Sequence, residues 1–217
     1  MQGSKVTAEA ATPEQQRKTP VSIQPHANRD TSRKIKKSAL VVLTLNAGAD
    51  FARWLHAVLS QTAIPERLIL IDSSSDDDTV NMAQEAGFEV HVIDRREFNH
   101  GATRQMAVEM LPEADVIVFL TQDAVLAHPQ ALERLLVHFE DPRVGAVYGR
   151  QLPRQGAGPI EAHARLFNYP TVSGLRSAED VPKMGIKTSF ISNSFAAWRR
   201  RALMEVGGFP SHTIQNE

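Results

Sequence analysis

The fold is most clearly indicated by the stretch Asp115-Val116-Ile117-Val118-Phe119-Leu120-Thr121-Gln122-Asp123-Ala124. Its residues 116–120 are all apolar and mostly β-branched, which predicts a strand buried on both faces. The run ends abruptly in polar residues and one carboxylate. Ligands of open parallel sheets bind at the carboxyl ends of the strands. An acid there is costly to desolvate unless it meets a cation or a donor, so Asp123 is the first candidate for holding a metal ion or a ligand hydroxyl.

Strand and helix patterns alternate on both sides of this segment. Apolar runs predict further strands at 39–45, 68–71, 88–93 and 144–148. Four helices are predicted between these strands. The first carries an apolar stripe of Phe51, Trp54, Leu55, Val58 and Leu59, and the second is capped by one of the acids at 76–78. The third covers 101–111, and the fourth has Pro129 at its first position and carries Leu132, Leu135, Leu136 and Phe139 on one face. This alternation predicts right-handed βαβ crossovers, and therefore an α/β fold with a mostly parallel sheet flanked by helices. Residues 152–186 predict a loop-rich, partly helical excursion over one sheet edge.

The composition is that of an ordinary globular chain. Its 217 residues are 42% hydrophobic and 23% charged with a net charge of −1, which favours one domain plus a tail and argues against nucleic acid as a partner. The absence of cysteine excludes disulfides, thiolate zinc sites and a cysteine nucleophile, and it fits a reducing cytoplasm. No apolar run approaches the roughly 18 residues of a membrane span, and no secretory signal is predicted.

Positive charge is concentrated at the N-terminus. Residues 1–37 hold eight Lys or Arg and three acids, a net of +5, which leaves 16 basic and 22 acidic residues in the remainder, a net of −6. Few large apolar residues and no clear period predict a disordered basic tail at 1–37 and one folded domain at 38–217. The cluster Arg33-Lys34-Ile35-Lys36-Lys37 is suited to weak contact with anionic lipid headgroups. A solvated leader is the alternative.

Three common ligand-binding and catalytic motifs are absent from the sequence. The loop after the first strand reads Asn46-Ala47-Gly48-Ala49-Asp50, which is not the G-x-G-x-x-G turn of dinucleotide-binding proteins. Neither a G-x-x-x-x-G-K-[ST] phosphate loop nor a G-x-S-x-G nucleophile elbow occurs. These absences argue against P-loop, hydrolase and typical dinucleotide chemistry.

Two further candidate residues follow the next strands along the chain. Asp72 ends the second strand, and the acids at 76–78 behind it repel phosphate but tolerate a base or ribose edge. The alternative for Asp72 is an ordinary helix cap or turn residue. Arg104 lies one turn into a predicted helix, where a guanidinium is placed to reach phosphates or pyrimidine carbonyls. Its alternative is a surface arginine paired with Glu97 or Asp94.

Seven short motifs occur in a characteristic order along the chain. They are residues 43–46 (Leu-Thr-Leu-Asn), 71–76 (Ile-Asp-Ser-Ser-Ser-Asp), 98–105 (Phe-Asn-His-Gly-Ala-Thr-Arg-Gln), 119–124 (Phe-Leu-Thr-Gln-Asp-Ala), 149–153 (Gly-Arg-Gln-Leu-Pro), 190–194 (Phe-Ile-Ser-Asn-Ser) and 207–210 (Gly-Gly-Phe-Pro). In this order the motifs resemble the family 2 inverting glycosyltransferases with the GT-A fold. Within that family they are most similar to the bacterial rhamnosyltransferases that build O-antigen and other surface polysaccharides. The resemblance covers 39–217.

The resemblance implies roles for the donor side of the site. Asp72 would bind the nucleotide base, Leu45 and Asn46 would line the same pocket, and Arg104 would stand near the nucleotide. Residues 121–123 take the place of the family's Asp-x-Asp motif, with Thr121 where the first acid is expected.

For residues 121–123, the implied roles are a nucleotide contact for Gln122 and a catalytic metal ligand for Asp123. The implied cofactor is Mg²⁺ or Mn²⁺, held by one carboxylate and two phosphate oxygens. Such an ion offsets charge on the departing diphosphate. On the acceptor side, Ser192, Asn193 and Ser194 would bind sugar hydroxyls, and a plain polar strand end is the alternative.

The family's general base is implied to lie at the very end of this chain. In the family a Glu-Asp pair follows the segment matched by residues 207–209, and its Asp deprotonates the acceptor hydroxyl. The spacing places the Glu at Glu217, and the Asp would be the next residue. We therefore expect a C-terminally truncated chain, with Glu217 beside the catalytic position, that binds nucleotide and transfers little or no sugar alone.

The resemblance implies transfer of L-rhamnose from dTDP-rhamnose, with inversion, to a glycan or lipid-linked acceptor. The second hypothesis is a nucleotide-sugar-binding remnant without catalysis. A third is an unrelated Rossmann-like sugar-nucleotide enzyme, against which the missing glycine motif argues. The expected location is the cytoplasm, with peripheral contact at the inner face of the membrane through the basic tail.

Overall fold

The computed structural model describes residues 37–154 and 156–212, so the tail predicted at 1–37 lies outside the described residues except for Lys37. The strands within these ranges are β1 (Ser38–Thr44), β2 (Arg67–Asp72), β3 (Glu89–Val92), β4 (Val116–Leu120), β5 (Ala146–Tyr148) and β6 (Phe195–Arg199). They form one sheet in the order β3-β2-β1-β4-β6-β5.

The sheet is mostly parallel, as predicted. β1 pairs in parallel with β2 and β4, and β2 pairs in parallel with β3. β6 lies antiparallel between β4 and β5. The chain proceeds from β1 through β2 to β3 in one direction and then places β4 on the other side of β1. The carboxyl ends of β1 and β4 therefore form a switch point, which is where ligands of open α/β sheets bind.

The helices in the described part of the chain are α1 (Phe51–Leu59), α2 (Thr79–Glu85), α3 (His100–Glu109), α4 (Ala131–Leu136), α5 (Pro159–Asn168), α6 (Val181–Met184) and α7 (Arg200–Glu205). Short 3₁₀ turns occupy Val137–Glu140, Ala178–Asp180 and Gly185–Ser189. None of the helices described here is both long and apolar enough to cross a membrane.

β4 is buried on both faces, which confirms the prediction from its apolar run. Val116, Val118 and Leu120 pack into the core on one side of the sheet. Ile117 and Phe119 pack into the core on the other side. This split follows from the two-residue repeat of a strand, because successive side chains point to opposite faces.

The predicted apolar stripe of α1 is confirmed except at its last member. Phe51, Trp54, Leu55 and Val58 are buried. Trp54 stacks on Phe51 with ring centroids 5.5 Å apart. Leu59 is 40% exposed, because at 100° per residue it lies about 80° round the helix from Phe51, at the edge of the stripe.

One predicted helix start is wrong, and another is confirmed. Pro129 does not occupy the first helical position, because α4 begins at Ala131. Instead the carbonyl of Pro129 accepts a hydrogen bond from the amide of Thr62 at 2.8 Å, which ties the preceding turn to the end of α1. The predicted burial of Leu132, Leu135, Leu136 and Phe139 is confirmed. At α2 the N-cap residue is Asp78, but its side chain makes no capping bond.

Sequence patterns placed a strand before Ser192, whereas the structure places β6 after Ser194. The segment Phe-Ala-Ala-Trp-Arg has no alternating pattern, so its strand character comes from pairing with β4, for example Ala196 opposite Phe119. Residues 152–186 are partly helical, as predicted. They are held beside the edge strand β5 by contacts of Tyr148 with the rings of Tyr169 and Phe190, at centroid distances of 6.3 and 5.8 Å.

Candidate functional site

The turn after β4 projects Asp123 from the carboxyl edge of the sheet. The amide of Thr121 donates to the carbonyl of Ser194 at 3.1 Å, and the amide of Ala124 donates to the carbonyl of Thr121 at 3.0 Å. The indole of Trp54 donates to that same carbonyl at 2.9 Å. The backbone of the turn is thus held by two outside partners, Ser194 and Trp54, and by one hydrogen bond of its own. Asp123 is exposed.

Gln122 holds this turn against the end of β1. Its Oε1 accepts from the amide of Leu45 at 2.9 Å, and its Nε2 donates to the carbonyl of Leu45 at 3.1 Å. The side chain thereby pairs with Leu45 as a neighbouring strand would. The Gln122 side chain and the Leu45 backbone, both expected to contact a nucleotide, are therefore hydrogen-bonded to each other. The Leu45 side chain is 39% exposed at the same edge.

Replacement of Gln122 by glutamate is expected to loosen this pairing. The carboxylate still accepts from the Leu45 amide, but it no longer donates, and it brings a negative oxygen to the Leu45 carbonyl. We expect a loss of about 0.5–1.5 kcal/mol in the free energy of unfolding, measured by urea denaturation. Gln84→Glu is the matched control, because Gln84 is an exposed glutamine of α2. Equal urea midpoints for the two variants would contradict the pairing.

The loop after β1 is joined to the loop after β2 by side-chain hydrogen bonds. The amide of Asn46 donates to Oγ of Ser75, and the amide of Asp76 donates to Oδ1 of Asn46, both at 2.8 Å. Asn46 has a φ of 47°, a left-handed conformation that asparagine tolerates better than most residues. The amide of Gly48 donates to Oδ2 of Asp77 at 3.0 Å. Two loops that meet at the switch point are thus held in one arrangement.

Asp77 keeps its negative charge in this arrangement. The hydroxyl of Thr79 is the main cause that holds the pKa of Asp77 below its usual value, and the amides of Thr79 and Gly48 lower it further. Because this pKa is lower in the folded chain, the carboxylate contributes stability above its unfolded pKa and loses that contribution as the pH falls through the folded pKa. With Asp76 and Asp78 also exposed, this helix start carries the wrong charge for phosphate.

Asp72 lies at the end of β2 and is fully buried. Its Oδ1 accepts from the hydroxyls of Thr44 at 2.8 Å and Ser75 at 2.6 Å, and its Oδ2 accepts from the amide of Ser75 at 2.6 Å. The carboxylate therefore links β1 to the following loop, partly as the turn acceptor that was the alternative interpretation. Because Asp72 is fully buried, contact with a nucleotide base requires its carboxylate to become accessible, so that role stays a prediction.

Arg104 lies in α3 and is only 6% exposed, so its alternative interpretation as a surface arginine is wrong. The helix begins at an N-cap, Asn99, whose side chain accepts from the amide of Ala102. A small cavity of about 10 Å³ is lined by Arg104, Thr121 and Asn193 among others. The buried hydroxyl of Thr121 has no hydrogen-bond partner within the described residues. Three positions singled out from the sequence are thus brought together.

The segment 192–194 reaches the same edge, just ahead of β6. Oγ of Ser192 accepts from Nε2 of Gln151 at 2.8 Å. Oδ1 of Asn193 accepts from the indole of Trp198 at 2.9 Å. An indole nitrogen is a donor only, so the amide group of Asn193 is left to donate elsewhere. The sequence interpretation missed Gln151, Trp198 and Trp54, although a buried tryptophan usually needs an acceptor for its N–H.

The described residues offer the carboxylate of Asp123 at the switch point, but they form no complete metal site. In residues 37–154 and 156–212, no three His, Cys, Asp or Glu side chains lie close enough together to hold a metal ion. The Asp123 carboxylate makes no hydrogen bond or ion pair within those ranges, so it is available to a cation. One free carboxylate suits Mg²⁺ or Mn²⁺ if a ligand brings further oxygens. Glu217 lies outside the described residues.

The model of the family described as glycosyl transferase family 2 matches residues 39–207. The chain belongs to glycosyl transferase family 2. The matched range includes β4, all of β1 except Ser38, and every predicted site residue except Glu217.

Two curated relatives of this family 2 chain carry the same description. It is 48% identical over 182 residues to the O-antigen chain rhamnosyltransferase RfbN of Salmonella typhimurium. The match covers 83% of this chain and 58% of the relative. It is 50% identical over 179 residues to the O-antigen chain rhamnosyltransferase WbaN of Salmonella anatum. That match covers 82% of this chain and 57% of the relative. The chain thus spans less than two thirds of the length of these relatives.

Solved structures confirm the GT-A fold of the family 2 chain. The mannosyltransferase PcManGT from Pyrobaculum calidifontis, in complex with GDP-Man and Mn²⁺, matches with a TM-score of 0.56 at 21% identity, over 82% of this chain and 48% of that one. TarS from S. aureus, in complex with UDP-GlcNAc, matches with a TM-score of 0.58 at 16% identity, over 80% of this chain and 48% of that one.

Proposed function

We propose that this chain carries the donor-binding region of a transferase that moves L-rhamnose from dTDP-rhamnose, with inversion, to a glycan or lipid-linked acceptor in bacterial surface polysaccharide synthesis. The observation that carries the proposal is the 48–50% identity to two O-antigen chain rhamnosyltransferases. The proposed location is the cytoplasm, with peripheral contact at the inner face of the membrane.

Asp123 is the proposed catalytic metal ligand. Its exposed carboxylate follows β4 at the switch point, and the turn that carries it is fixed by Ser194 and Trp54. When bound, Mg²⁺ or Mn²⁺ would supply positive charge that stabilises the departing diphosphate. Because one carboxylate is a weak site by itself, we expect metal binding to depend on the phosphates of the nucleotide.

The nucleotide is proposed to lie across the carboxyl ends of β1 and β2. The half-exposed Leu45 offers an apolar surface to the base, and Asn46 with Gln122 sets the shape of the pocket wall. Asp72 acts on the base directly or through Ser75, whose hydroxyl and amide both donate to it. Arg104 contributes a positive charge next to Thr121.

The acceptor is proposed to approach from residues 192–194. The Ser192 hydroxyl and the Asn193 amide group suit sugar hydroxyls, and the Ser194 carbonyl ties this segment to the Asp123 turn. In the transfer, an acceptor oxygen bonds to the anomeric carbon while the bond from that carbon to the diphosphate oxygen breaks. The acceptor proton passes to a carboxylate base.

Binding of thymidine diphosphate to the 217-residue chain tests the donor half of the proposal. We expect the melting temperature to rise when thymidine diphosphate and Mg²⁺ or Mn²⁺ are both present, and to change little with either alone. Saturation at about 100 times the dissociation constant corresponds to about 2.7 kcal/mol of added stability. Guanosine diphosphate serves as the base control. No shift with any nucleotide and metal together would overturn the proposal.

Transfer itself distinguishes an enzyme from a nucleotide-binding remnant. Incubation of dTDP-rhamnose with a lipid-linked glycan and the full-length protein is expected to extend the glycan by one rhamnose. Donor binding by that protein without transfer or donor hydrolysis would instead establish the remnant.

A further inference from the structure

The segment between β5 and β6 exposes many large apolar side chains. α5 has no buried residue. Ile160 is 87% exposed, Leu175 81% and Ile186 90%, and Phe167 is exposed as well. Side chains this apolar and this exposed are normal when scattered singly, but a group of them within one segment marks an interaction surface.

Contacts within the segment join these side chains into one surface. Ile160 and Phe167 are seven residues apart and therefore lie on the same face of α5. The amino group of Lys187 lies 6.0 Å from the centre of the Phe167 ring, which places the turn Gly185–Ser189 against that face. A guanidinium nitrogen of Arg176 donates to the carbonyl of Lys187 at 2.8 Å, so the residues next to Leu175 adjoin the same turn. We call Ile160, Phe167, Leu175, Arg176, Ile186 and Lys187 the apolar–basic surface.

The charge of this segment is opposite to that of the rest of the described chain. Residues 152–190 hold five basic and three acidic residues, a net of +2. Residues 37–151 and 191–212 together hold 12 basic and 18 acidic residues, a net of −6. A surface that combines apolar side chains with cations suits the headgroup region of an anionic bilayer. There the lipid tails accept apolar side chains, and the lipid phosphates attract cations.

We propose that the apolar–basic surface docks onto an anionic lipid bilayer. Ile160, Phe167, Leu175 and Ile186 enter the headgroup boundary, while Arg176 and Lys187 meet lipid phosphates. The inference deepens the proposed function, because it rests on that function for the lipid-linked nature of the acceptor.

Docking there is connected to the acceptor residues through side chains. Arg165 of α5 donates to Gln151, and Gln151 donates to Ser192. A lipid-linked acceptor standing in the bilayer would thus meet residues 192–194 from the docked side. This surface is distinct from the basic cluster at 33–37, so the two contributions to membrane binding are separable.

Sedimentation of the 217-residue chain with vesicles tests the proposal. We expect binding to vesicles that contain phosphatidylglycerol and much weaker binding to vesicles of phosphatidylcholine alone. The double variant Ile160→Ser/Ile186→Ser is expected to bind about tenfold or more weakly, because each isoleucine loses its burial in the lipid. The matched control is Val92→Ser/Val206→Ser, which removes two exposed apolar side chains outside the surface. All four substitutions leave the charge of the tail unchanged.

Unchanged vesicle binding by Ile160→Ser/Ile186→Ser would overturn the proposal and assign membrane contact to the tail. Light scattering that shows dimers of the 217-residue chain, lost in this variant, would overturn it in favour of a second copy as the occupant. The vesicle measurement needs no nucleotide. Failure of lipid docking is therefore distinguishable from failure of donor binding, which the thermal shift reports.

Discussion

Asp123→Asn is expected to abolish the metal-dependent part of donor binding. Asparagine keeps the size of the side chain and one oxygen but removes the charge that attracts a divalent cation. Asp123 makes no hydrogen bond or ion pair within the described ranges, so its replacement leaves the fold intact. We expect the combined shift with thymidine diphosphate and Mg²⁺ or Mn²⁺ to fall to the value seen without metal. Transfer by the full-length protein should fall about a hundredfold, equivalent to about 3 kcal/mol of transition-state stabilisation.

Asp115→Asn is the control for this experiment. Asp115 is also exposed and also flanks β4, but it lies at the opposite end of the strand, away from the switch point. The Asp115→Asn variant should bind nucleotide and metal as the unmodified chain does. If Asp123→Asn kept the full metal-dependent rise in melting temperature, Asp123 would not be a metal ligand.

Trp54→Ala is expected to have the largest effect on stability. Trp54 is fully buried against Phe51 and Phe88, and its indole donates to the carbonyl of Thr121. The truncation leaves a large cavity and removes one of the two donors to the Thr121 carbonyl, the other being the amide of Ala124. We expect a loss of about 3–5 kcal/mol in the free energy of unfolding, measured by urea denaturation.

Two further substitutions separate the contribution of the indole hydrogen bond to this loss of stability from that of side-chain volume. Trp54→Phe retains an aromatic ring but no donor, so it removes the hydrogen bond to Thr121 with a smaller loss of volume. We expect it to weaken donor binding, because the Asp123 turn loses its hydrogen bond to Trp54. Leu59→Ala removes a half-exposed side chain from the same helix and should cost little. A loss of stability in Trp54→Ala no larger than that in Leu59→Ala would contradict the role given to Trp54.

The parts of the fold that were predicted correctly are those with a local signal. The apolar run of β4 and the stripe of α1 depend on side-chain periodicity, which neighbours in the chain carry by themselves. β6 was missed because Phe195–Arg199 has no such periodicity. Its extended conformation comes from pairing with β4 on one side and β5 on the other, and no local pattern encodes that pairing.

The candidate site divides in the same way. The position of Asp123 after a buried strand pointed to a ligand from the sequence alone. The engagement of Gln122 with Leu45 was not predicted, because a glutamine in a polar turn has no pattern that names its partner. Likewise, the burial of Asp72 and the three donors to its carboxylate depend on how β1 lies beside β2.

The amino-acid sequence by itself determined the α/β class, the buried strand that ends at Asp123 and the ordered motifs of a family 2 glycosyltransferase, because all of these are written in consecutive residues. The tertiary structure alone decided which of the candidate side chains face a ligand and which hold the site together. The contacts that decide this, Trp54 to Thr121 and Leu45 to Gln122, join residues 67 and 77 positions apart. Contacts of that separation form only when the sheet brings the carboxyl ends of β1 and β4 side by side.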